Sequence, residues 1–330
     1  MNKVVFTDID GTLIDINTAE YGKNTKGLIS SLKEKNIPLI LASAKTWLEQ
    51  NKIREDLGLF DPFIVENGGA IVIPKGYFVG SALKDIQYSS RQAEERVKKV
   101  RNGNQIIRKD MRIIDEAESK HDDGRTKTPL TLTTVTVIEL GKPVDNIIAK
   151  LSAIRKKYTI NFKGVADVSV EELSNIAFMP LEQAKRMADR RYGETILQIE
   201  RKDVARLIKY AKDEGMRVIH GGRFFDVTIG NDKGKAVEIL RNLFKNKYHD
   251  DVTFFGIGDS TNDVSMLNLM DVPILVQKPD RSWLDYEIKM LENVDSSNIS
   301  NSNKNNNIIK INGIGPNGWE NAVHKIILET

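Results

Sequence analysis

Short apolar runs that alternate with helical patterns open the chain. The runs are β-branched or aromatic and too short for helices, which is typical of buried strands. Runs with the spacing of amphipathic helices separate them. The predicted strands are 3–8, 38–42 and 63–66, and the predicted helices are 25–35 and 46–57. This strand–helix–strand order predicts a parallel sheet with helices on both faces.

The middle of the chain has a different pattern, in which strand-like and helical runs mix without regular alternation. The predicted strands there are 131–140, 195–199 and 216–219, and the predicted helices are 91–101, 144–157, 181–191 and 203–214. Regular α/β alternation returns after Asp226. We therefore predict an α/β fold with a Rossmann-like parallel core, formed by residues 1–84 and 225–330, and an inserted α+β domain over 85–224. The Asn/Ser-rich segment 296–307 cannot bury apolar surface, which predicts a loop.

Composition removes several classes of function. The 330 residues carry 49 basic and 46 acidic side chains, so the net charge of +3 gives no electrostatic case for a nucleic-acid partner. The absence of cysteine excludes thiolate nucleophiles, disulfides and zinc sites built on Cys. No apolar run approaches the length of a membrane span. We expect a cytoplasmic protein with neither a nucleic-acid nor a membrane partner.

Two acidic residues follow the first predicted strand, in the segment DIDGTL over 8–13. In an open parallel sheet, ligands bind beyond the carboxyl ends of the strands. Asp8 and Asp10 would repel each other there unless a cation or a shared proton compensates their charge. A divalent ion with oxygen ligands is the natural compensation, and Mg²⁺ suits it. Taken alone, the segment is also compatible with a surface turn.

A second acidic segment, GDSTND over 258–263, follows the apolar run 252–257 and precedes a helical pattern. Its position repeats the arrangement at the first strand, so we expect Asp259 to bind the same ion. Asp263 could support Asp259 without touching the ion. A helix cap would explain one of these aspartates but not both of them together with Asn262.

Two single residues fit between the acidic segments. Ser43 follows the second predicted strand and could donate a hydrogen bond to a phosphoryl oxygen, although a lone Ser there is more often a helix cap. Lys233 opens a predicted helix and could neutralise a phosphoryl group, although a lone Lys is more often a solvated surface charge. The acidic segments before and after them in the sequence favour the functional interpretation of both residues.

The chain carries four features in this order: DxDGT, a Ser after the second strand, a later Lys, and GDSTND. Together they resemble the four motifs of the haloacid dehalogenase superfamily. The resemblance implies a phosphatase in which Asp8 is the nucleophile and Asp10 is the general acid and base. It also implies that Mg²⁺ is held by Asp8, by the backbone carbonyl of Asp10 and by Asp259. Ser43 and Lys233 would complete the catalytic group, and a phosphoryl group would pass through Asp8 to water.

Further segments in core and insertion resemble the mannosyl-3-phosphoglycerate phosphatases: ASAKT (42–46), VENGGA (65–70), KGVADVS (163–169), AKRMADR (184–190) and HGGRFF (220–225). This resemblance implies that the inserted domain is a substrate-selecting cap. It also implies hydrolysis of a 2-O-glycosyl-3-phosphoglycerate to a glycosylglycerate, a compatible solute. Glu66 and Asn67 would meet the sugar hydroxyls. Arg190, Arg223 and Lys45 are candidates for the glycerate carboxylate or the phosphate, since guanidinium groups suit such anions.

The chain departs from that family in RYGET over 191–195, where the family usually carries an acid followed by Tyr-Ser-Glu-Pro. The segment lies in the predicted cap, so both mannosyl and glucosyl substrates stay open. Three other functions also stay open: a phosphomannomutase-like phosphotransferase, a broad or sucrose-phosphate-type sugar phosphatase, and a phosphate-sensing binding protein. The last would have no need to keep a nucleophile and an acid together.

Overall fold

The computed structural model describes residues 1–78, 106–108, 135–221, 223–284 and 308–329. The predicted helix 91–101, the predicted loop 296–307 and most of the charged segment 108–127 lie outside the described residues. The described residues form two β-sheets, with helices packed against both.

The larger sheet contains nine strands in the described part of the chain, in the order β13-β12-β11-β1-β2-β3-β4-β6-β5. Their bounds are β1 Asn2–Thr7, β2 Leu39–Ala42, β3 Phe63–Val65, β4 Ala70–Pro74, β5 Ile106–Arg108, β6 Val135–Glu139, β11 Val252–Gly258, β12 Val272–Gln277 and β13 Ile309–Ile314.

The centre of the larger sheet is parallel, with β1 paired to β11 on one side and to β2 on the other. The pairings of β3 with β4, of β4 with β6 and of β5 with β6 are antiparallel. Because β1, β2 and β11 run in the same direction, Asp8, Ser43 and Asp259 all come to the same edge of the sheet. The predicted α/β fold with a parallel core is confirmed.

Helices cover both faces of this sheet. Their bounds are α1 Thr25–Glu34, α2 Trp47–Leu57, α7 Lys233–Tyr248, α8 Val264–Leu267 and α9 Pro316–Ala322. Alternation along β1 sends Val5 to one face, into a core that contains Trp319, and Phe6 to the other face, where it packs with Phe244 and Phe254. A strand buried on both faces reads as a continuous apolar run, which explains why period-2 alternation is absent from the sequence of β1.

The smaller sheet has the order β7-β8-β10-β9, with bounds β7 Phe162–Gly164, β8 Gly193–Ile199, β9 Arg217–Gly221 and β10 Phe224–Thr228. Its helices are α3 Val144–Tyr158, α4 Val170–Ala177, α5 Leu181–Ala188 and α6 Arg201–Asp213. One apolar core joins α3 and α6 to the sheet, and a second joins α4 and α5 to Leu197 of β8. The α+β character predicted for the middle of the chain is confirmed.

Four details of the smaller sheet differ from the prediction. The sequence analysis missed α4, β7 and β10, which are too short for their periodicity to be distinctive. The predicted helix 181–191 ends at Ala188, because the backbone N–H groups of Arg191 and Tyr192 donate to the carboxylate of Glu66 instead of to helical carbonyls. A contact distant in sequence therefore ends α5.

The chain crosses between the two sheets at two adjacent places. Residues 140–143 lead from β6 to α3, residues 229–232 lead from β10 to α7, and the N–H of Lys142 donates to the carbonyl of Ile229 at 2.9 Å. We propose that these crossings join the core to the inserted cap, which the sequence analysis placed at 84 and 225. No helix in the described ranges is both long and apolar enough to cross a membrane.

Candidate active site

The loop after β1 brings the first acidic segment against the second. The N–H of Asp8 donates to the carbonyl of Ile257 in β11, which continues the parallel pairing one residue past the strand. Gly11 has a φ of +79°, and a Cβ there would lie 2.9 Å from Oδ2 of Asp259. Only glycine combines this left-handed conformation with so close an approach. The glycine of the DxDG pattern is therefore required where the loop after β1 meets Asp259.

Three buried carboxylates form a cluster at this edge of the sheet. Oxygens of Asp8, Asp259 and Asp263 all lie within 4.8 Å of one another, and the three residues are at most 6% exposed. Carboxylates that are this close together and shielded from water destabilise the folded protein unless a cation lies among them. The cluster meets the geometric condition for Asp8 and Asp259 to share one ion.

Lys233 supplies one cation to the cluster. It is the first residue of α7, where the side chain of Asp232 accepts from the N–H of Lys235 and caps the helix. The Nζ of Lys233 donates to Oδ1 of Asp8 at 3.0 Å and to Oδ1 of Asp263 at 2.8 Å. Burial alone would lower the pKa of Lys233, but Asp263 and Asp8 outweigh burial and raise it above its usual value. Lys233 is therefore a fixed positive charge.

One lysine does not balance three carboxylates. Burial, and next the charge of Asp263, raise the pKa of Asp8 well above its usual value. The same two causes raise the pKa of Asp259 to about 7. The site thus favours an additional positive charge, and a divalent ion bound by carboxylate oxygens fits this need.

The hydrogen bonds indicate which carboxylates would hold the ion. Asp263 uses Oδ1 for Lys233, while its Oδ2 accepts from the backbone N–H groups of Asp259 and Ser260, each at 3.1 Å. The carboxylates of Asp8 and Asp259 accept fewer hydrogen bonds. Asp8 accepts one from Lys233, and Asp259 accepts one from Thr12 Oγ1 at 3.2 Å. Asp8 and Asp259 therefore fit the role of Mg²⁺ ligands, and Asp263 fits the role of orienting Asp259 and Lys233.

Asp10 is not one of the three clustered carboxylates. It lines a cleft of about 230 Å³ between the two sheets, and its Oδ1 lies 3.0 Å from the Nζ of Lys45. Lys45 also lies 3.8 Å from the carboxylate of Glu49 in α2. Burial lowers the pKa of Lys45, but Asp10 and Glu49 raise it above its usual value. Asp10 is thus held by a permanent cation while 39% of its side chain remains exposed.

Ser43 lies just beyond β2, next to the end of β1 in the parallel register. It is buried, and its Oγ accepts from the backbone N–H of Lys45 at 3.3 Å. A hydroxyl that accepts in this way keeps its own proton to donate. Its position suits a hydrogen bond to an anion bound at Asp8.

Glu66 and Asn67 form a turn in which both residues have a positive φ, at +48° and +54°. The Glu66 carboxylate accepts from the backbone N–H groups of Arg191 and Tyr192, each at 2.9 Å. Burial raises the pKa of Glu66 to about 7, although Arg190 and these N–H groups oppose the shift. Asn67 donates to Asp226 and accepts from Asn262, each at 3.3 Å. Both side chains thus have partners within the protein.

Arg190 and Arg223 line the same cleft from the smaller sheet and its helices. The side chain of Arg190 is 7% exposed, and its guanidinium lies 3.4 Å from Asp226 Oδ1 and 4.0 Å from Glu66 Oε2. Its Nε has no hydrogen-bond acceptor among the described residues. Arg223 donates to the carbonyl of Ala177 at 2.7 Å. The cleft therefore has two guanidinium groups opposite Asp10 and Lys45.

The structure adds two residues that the sequence analysis missed. Thr12 holds Asp259 across 247 positions of sequence. Asp226, which is buried in β10, joins Asn67, Arg190 and Thr195 in one network. Burial raises the pKa of Asp226, while Arg190 and Thr195 oppose that shift. Thr12 could have been found from the sequence, because it lies inside the DxDGT motif. Asp226 could not, because it is a single Asp in a strand that the sequence analysis did not predict.

Residues 5–282 match the family of haloacid dehalogenase-like hydrolases. The chain belongs to this family. As a haloacid dehalogenase-like hydrolase it is 33% identical, over 99% of its length and 98% of the relative, to the glucosyl-3-phosphoglycerate/mannosyl-3-phosphoglycerate phosphatase of Methanococcoides burtonii. It is 29% identical to the mannosyl-3-phosphoglycerate phosphatase of Pyrococcus furiosus, over 84% of its own length and 91% of that protein.

Solved structures agree on the fold. A sugar phosphatase of haloacid dehalogenase subclass IIB superposes with a TM-score of 0.52 at 16% identity, covering 87% of this chain and 91% of the other. The predicted resemblance to phosphatases of this superfamily, and within it to the mannosyl-3-phosphoglycerate phosphatases, is confirmed. The haloacid dehalogenase-like hydrolase described here is an enzyme of the phosphoric monoester hydrolase class.

Proposed function

We propose that the protein hydrolyses a mannosyl- or glucosyl-3-phosphoglycerate to the glycosylglycerate and phosphate, through an aspartyl-phosphate on Asp8. The relatives named for both substrates support this choice. The observation that carries the mechanism is the buried cluster in which Asp8, Asp259 and Lys233 meet, beside a cleft that contains Asp10.

In the first step, a carboxylate oxygen of Asp8 attacks the phosphorus of the monoester, and the bond from phosphorus to the glycerate oxygen breaks. Lys233 already holds Oδ1 of Asp8, so Oδ2 is the oxygen for attack. Asp10 faces the cleft and gives its proton to the departing glycerate oxygen. The products of this step are the glycosylglycerate and a mixed anhydride of Asp8 and phosphate.

In the second step, water attacks the phosphorus of the mixed anhydride. Asp10, now ionised, takes the proton of the water, and the anhydride bond breaks to return the Asp8 carboxylate and release phosphate. Lys45 holds Asp10 in one position for both transfers, since its Nζ lies 3.0 Å from Oδ1. Ser43 and Lys233 would receive the phosphoryl oxygens.

Mg²⁺ would be held by Asp8, by the backbone carbonyl of Asp10 and by Asp259, and when bound it would neutralise charge on the phosphoryl group. Among the described residues, Lys233 is the cation in direct contact with these carboxylates, through Asp8 and Asp263. Asp263 would stay on Lys233 and on the two backbone N–H groups that it accepts from.

We propose that Arg190, Arg223 and Lys45 receive the glycerate carboxylate. Arg190 supports this assignment because its buried Nε lacks an acceptor in the described part of the chain. Contact of Glu66 and Asn67 with sugar hydroxyls remains a prediction. It requires Glu66 to release the N–H groups of Arg191 and Tyr192, or to bind the sugar through its remaining lone pairs.

The test is phosphate release by the purified full chain with Mg²⁺, from mannosyl- and glucosyl-3-phosphoglycerate, 3-phosphoglycerate, mannose 6-phosphate and glucose 6-phosphate. We expect kcat/KM for one or both glycosylated substrates to exceed all the others. Equal rates on hexose phosphates would indicate a broad sugar phosphatase. Interconversion of sugar phosphates without release of phosphate would indicate a phosphotransferase. Either result contradicts the proposal.

A further inference from the structure

Phe178 is the most exposed large apolar side chain in the described part of the molecule. It is 87% exposed, whereas Phe60 is 55% exposed and Leu181 is 39% exposed. Single exposed apolar residues are common on protein surfaces and by themselves indicate nothing. Phe178 differs because it lines the active-site cleft.

The backbone of Phe178 is in an unusual conformation. It ends α4 with φ +53° and ψ 48°, the left-handed region that glycine normally occupies at this position of a helix. A bulky aromatic residue there is strained, and such residues concentrate at functional sites. The N–H of Met179 donates to the carbonyl of Ser174, and the N–H of Phe178 donates to that of Asn175, so the turn itself needs no aromatic side chain.

The location of Phe178 fits the far end of the proposed substrate. Asp10 and Lys45 line the cleft from the larger sheet, and Phe178 lines it from the end of α4. Arg223 contacts the same end of α4, since it donates to the carbonyl of Ala177 and its guanidinium lies 5.8 Å from the centre of the Phe178 ring. One cleft thus has Asp10 and Lys45, Arg190 and Arg223, and the ring of Phe178 in its lining.

We propose that Phe178 is a specificity-determining residue on which the sugar ring of the substrate packs. This inference rests on the proposed function, because only a glycosylated phosphoglycerate carries a sugar at that end. One face of a hexose presents C–H groups, which pack on an aromatic ring as apolar surface, while the hydroxyl groups bind polar neighbours. The contact would remove the ring of Phe178 from water when substrate binds.

The experiment compares the parent enzyme with Phe178→Ala, Phe178→Gly and Phe178→Trp on mannosyl-3-phosphoglycerate and 3-phosphoglycerate. The measured quantity is the ratio of the two kcat/KM values. We expect Ala and Gly to lower this ratio by about 10- to 100-fold, mainly through a higher KM for the glycosylated substrate, as for loss of an apolar contact. Trp keeps an aromatic face and should retain most of the ratio. Phe60→Ala, an exposed aromatic residue away from the cleft, is the matched control and should leave the ratio unchanged.

Thermal unfolding separates a binding role from a structural one. Glycine suits the left-handed backbone, so Phe178→Gly should unfold at the parent temperature or above it while it loses the substrate preference. A lower unfolding temperature for Phe178→Gly, or an unchanged ratio in Phe178→Ala, would overturn the inference. A changed molar mass by light scattering with unchanged kinetics would place Phe178 in a contact between copies and would also overturn it. A parent enzyme that does not prefer the glycosylated substrate would refute the proposed function itself.

Discussion

Replacement of Asp259 by Asn should make the metal-free protein more stable at neutral pH. Asp259 is buried with Asp8 and Asp263, and its pKa in the folded protein is about 7 against an ordinary value of 3.8. A group with a raised folded pKa contributes its stability in full below the unfolded pKa, and that contribution is lost as the pH rises through the folded pKa. The metal-free parent should therefore lose stability between about pH 4 and pH 7.

The size of this loss follows from the shift. The pKa of Asp259 is raised by about three units, which at ~1.4 kcal/mol per unit corresponds to a loss of at most about 4 kcal/mol in unfolding free energy. Part of this loss belongs to Asp8 and Asp263, which lie in the same cluster. The neutral amide of Asp259→Asn does not titrate, so the difference in unfolding free energy between variant and parent should grow with pH over this interval. Mg²⁺ should reverse the order, because it stabilises the folded state in which its ligands are intact.

The assay is urea unfolding followed by circular dichroism, from pH 4.5 to 8, in chelator and in Mg²⁺. Asp213→Asn removes an exposed carboxylate at the end of α6 and is the matched control, with no pH-dependent difference expected. Parallel pH profiles for the parent and Asp259→Asn in chelator would refute the reasoning. Equal stabilisation of both proteins by Mg²⁺ would refute the assignment of Asp259 as a ligand.

Three further substitutions test other contacts. Thr12→Val removes the hydrogen bond to Asp259 and should raise the Mg²⁺ concentration for half-maximal activity about tenfold or more; an unchanged titration would contradict this role. Glu66→Ala leaves the N–H groups of Arg191 and Tyr192 without their acceptor and should lower the unfolding free energy by about 3 kcal/mol, whereas replacement of the exposed Glu171 by Ala should not. Asp10→Asn should slow turnover at least ~100-fold while the unfolding temperature stays unchanged, and near-normal turnover would exclude it as the acid and base.

Sequence patterns predicted the central strands well because each is a short apolar run that is followed by candidate site residues. The predicted strand 3–8 corresponds to β1 Asn2–Thr7, and the run 252–257 corresponds to β11 Val252–Gly258. In a parallel sheet, the position of a residue at the carboxyl end of its strand determines which edge it joins. The meeting of Asp8 with Asp259 was therefore predictable across 251 positions.

Contacts between the two sheets could not be predicted in the same way. They depend on how loops and helix ends approach each other in space, and no period in the sequence records this approach. Glu66 illustrates the point: its resemblance to a sugar-binding residue says nothing of the two N–H groups that its carboxylate accepts. Asp226 needs the position of β10, a strand of five residues that periodicity did not reveal.

Rapid-quench mass spectrometry tests the nucleophile most directly. The parent enzyme and Asp8→Asn are mixed with mannosyl-3-phosphoglycerate and Mg²⁺, stopped in acid and digested. We expect a phosphoryl group on the peptide that contains Asp8 in the parent, and neither this adduct nor turnover in the folded Asp8→Asn protein. Turnover by Asp8→Asn, or a phosphoryl group on another residue, would contradict the account.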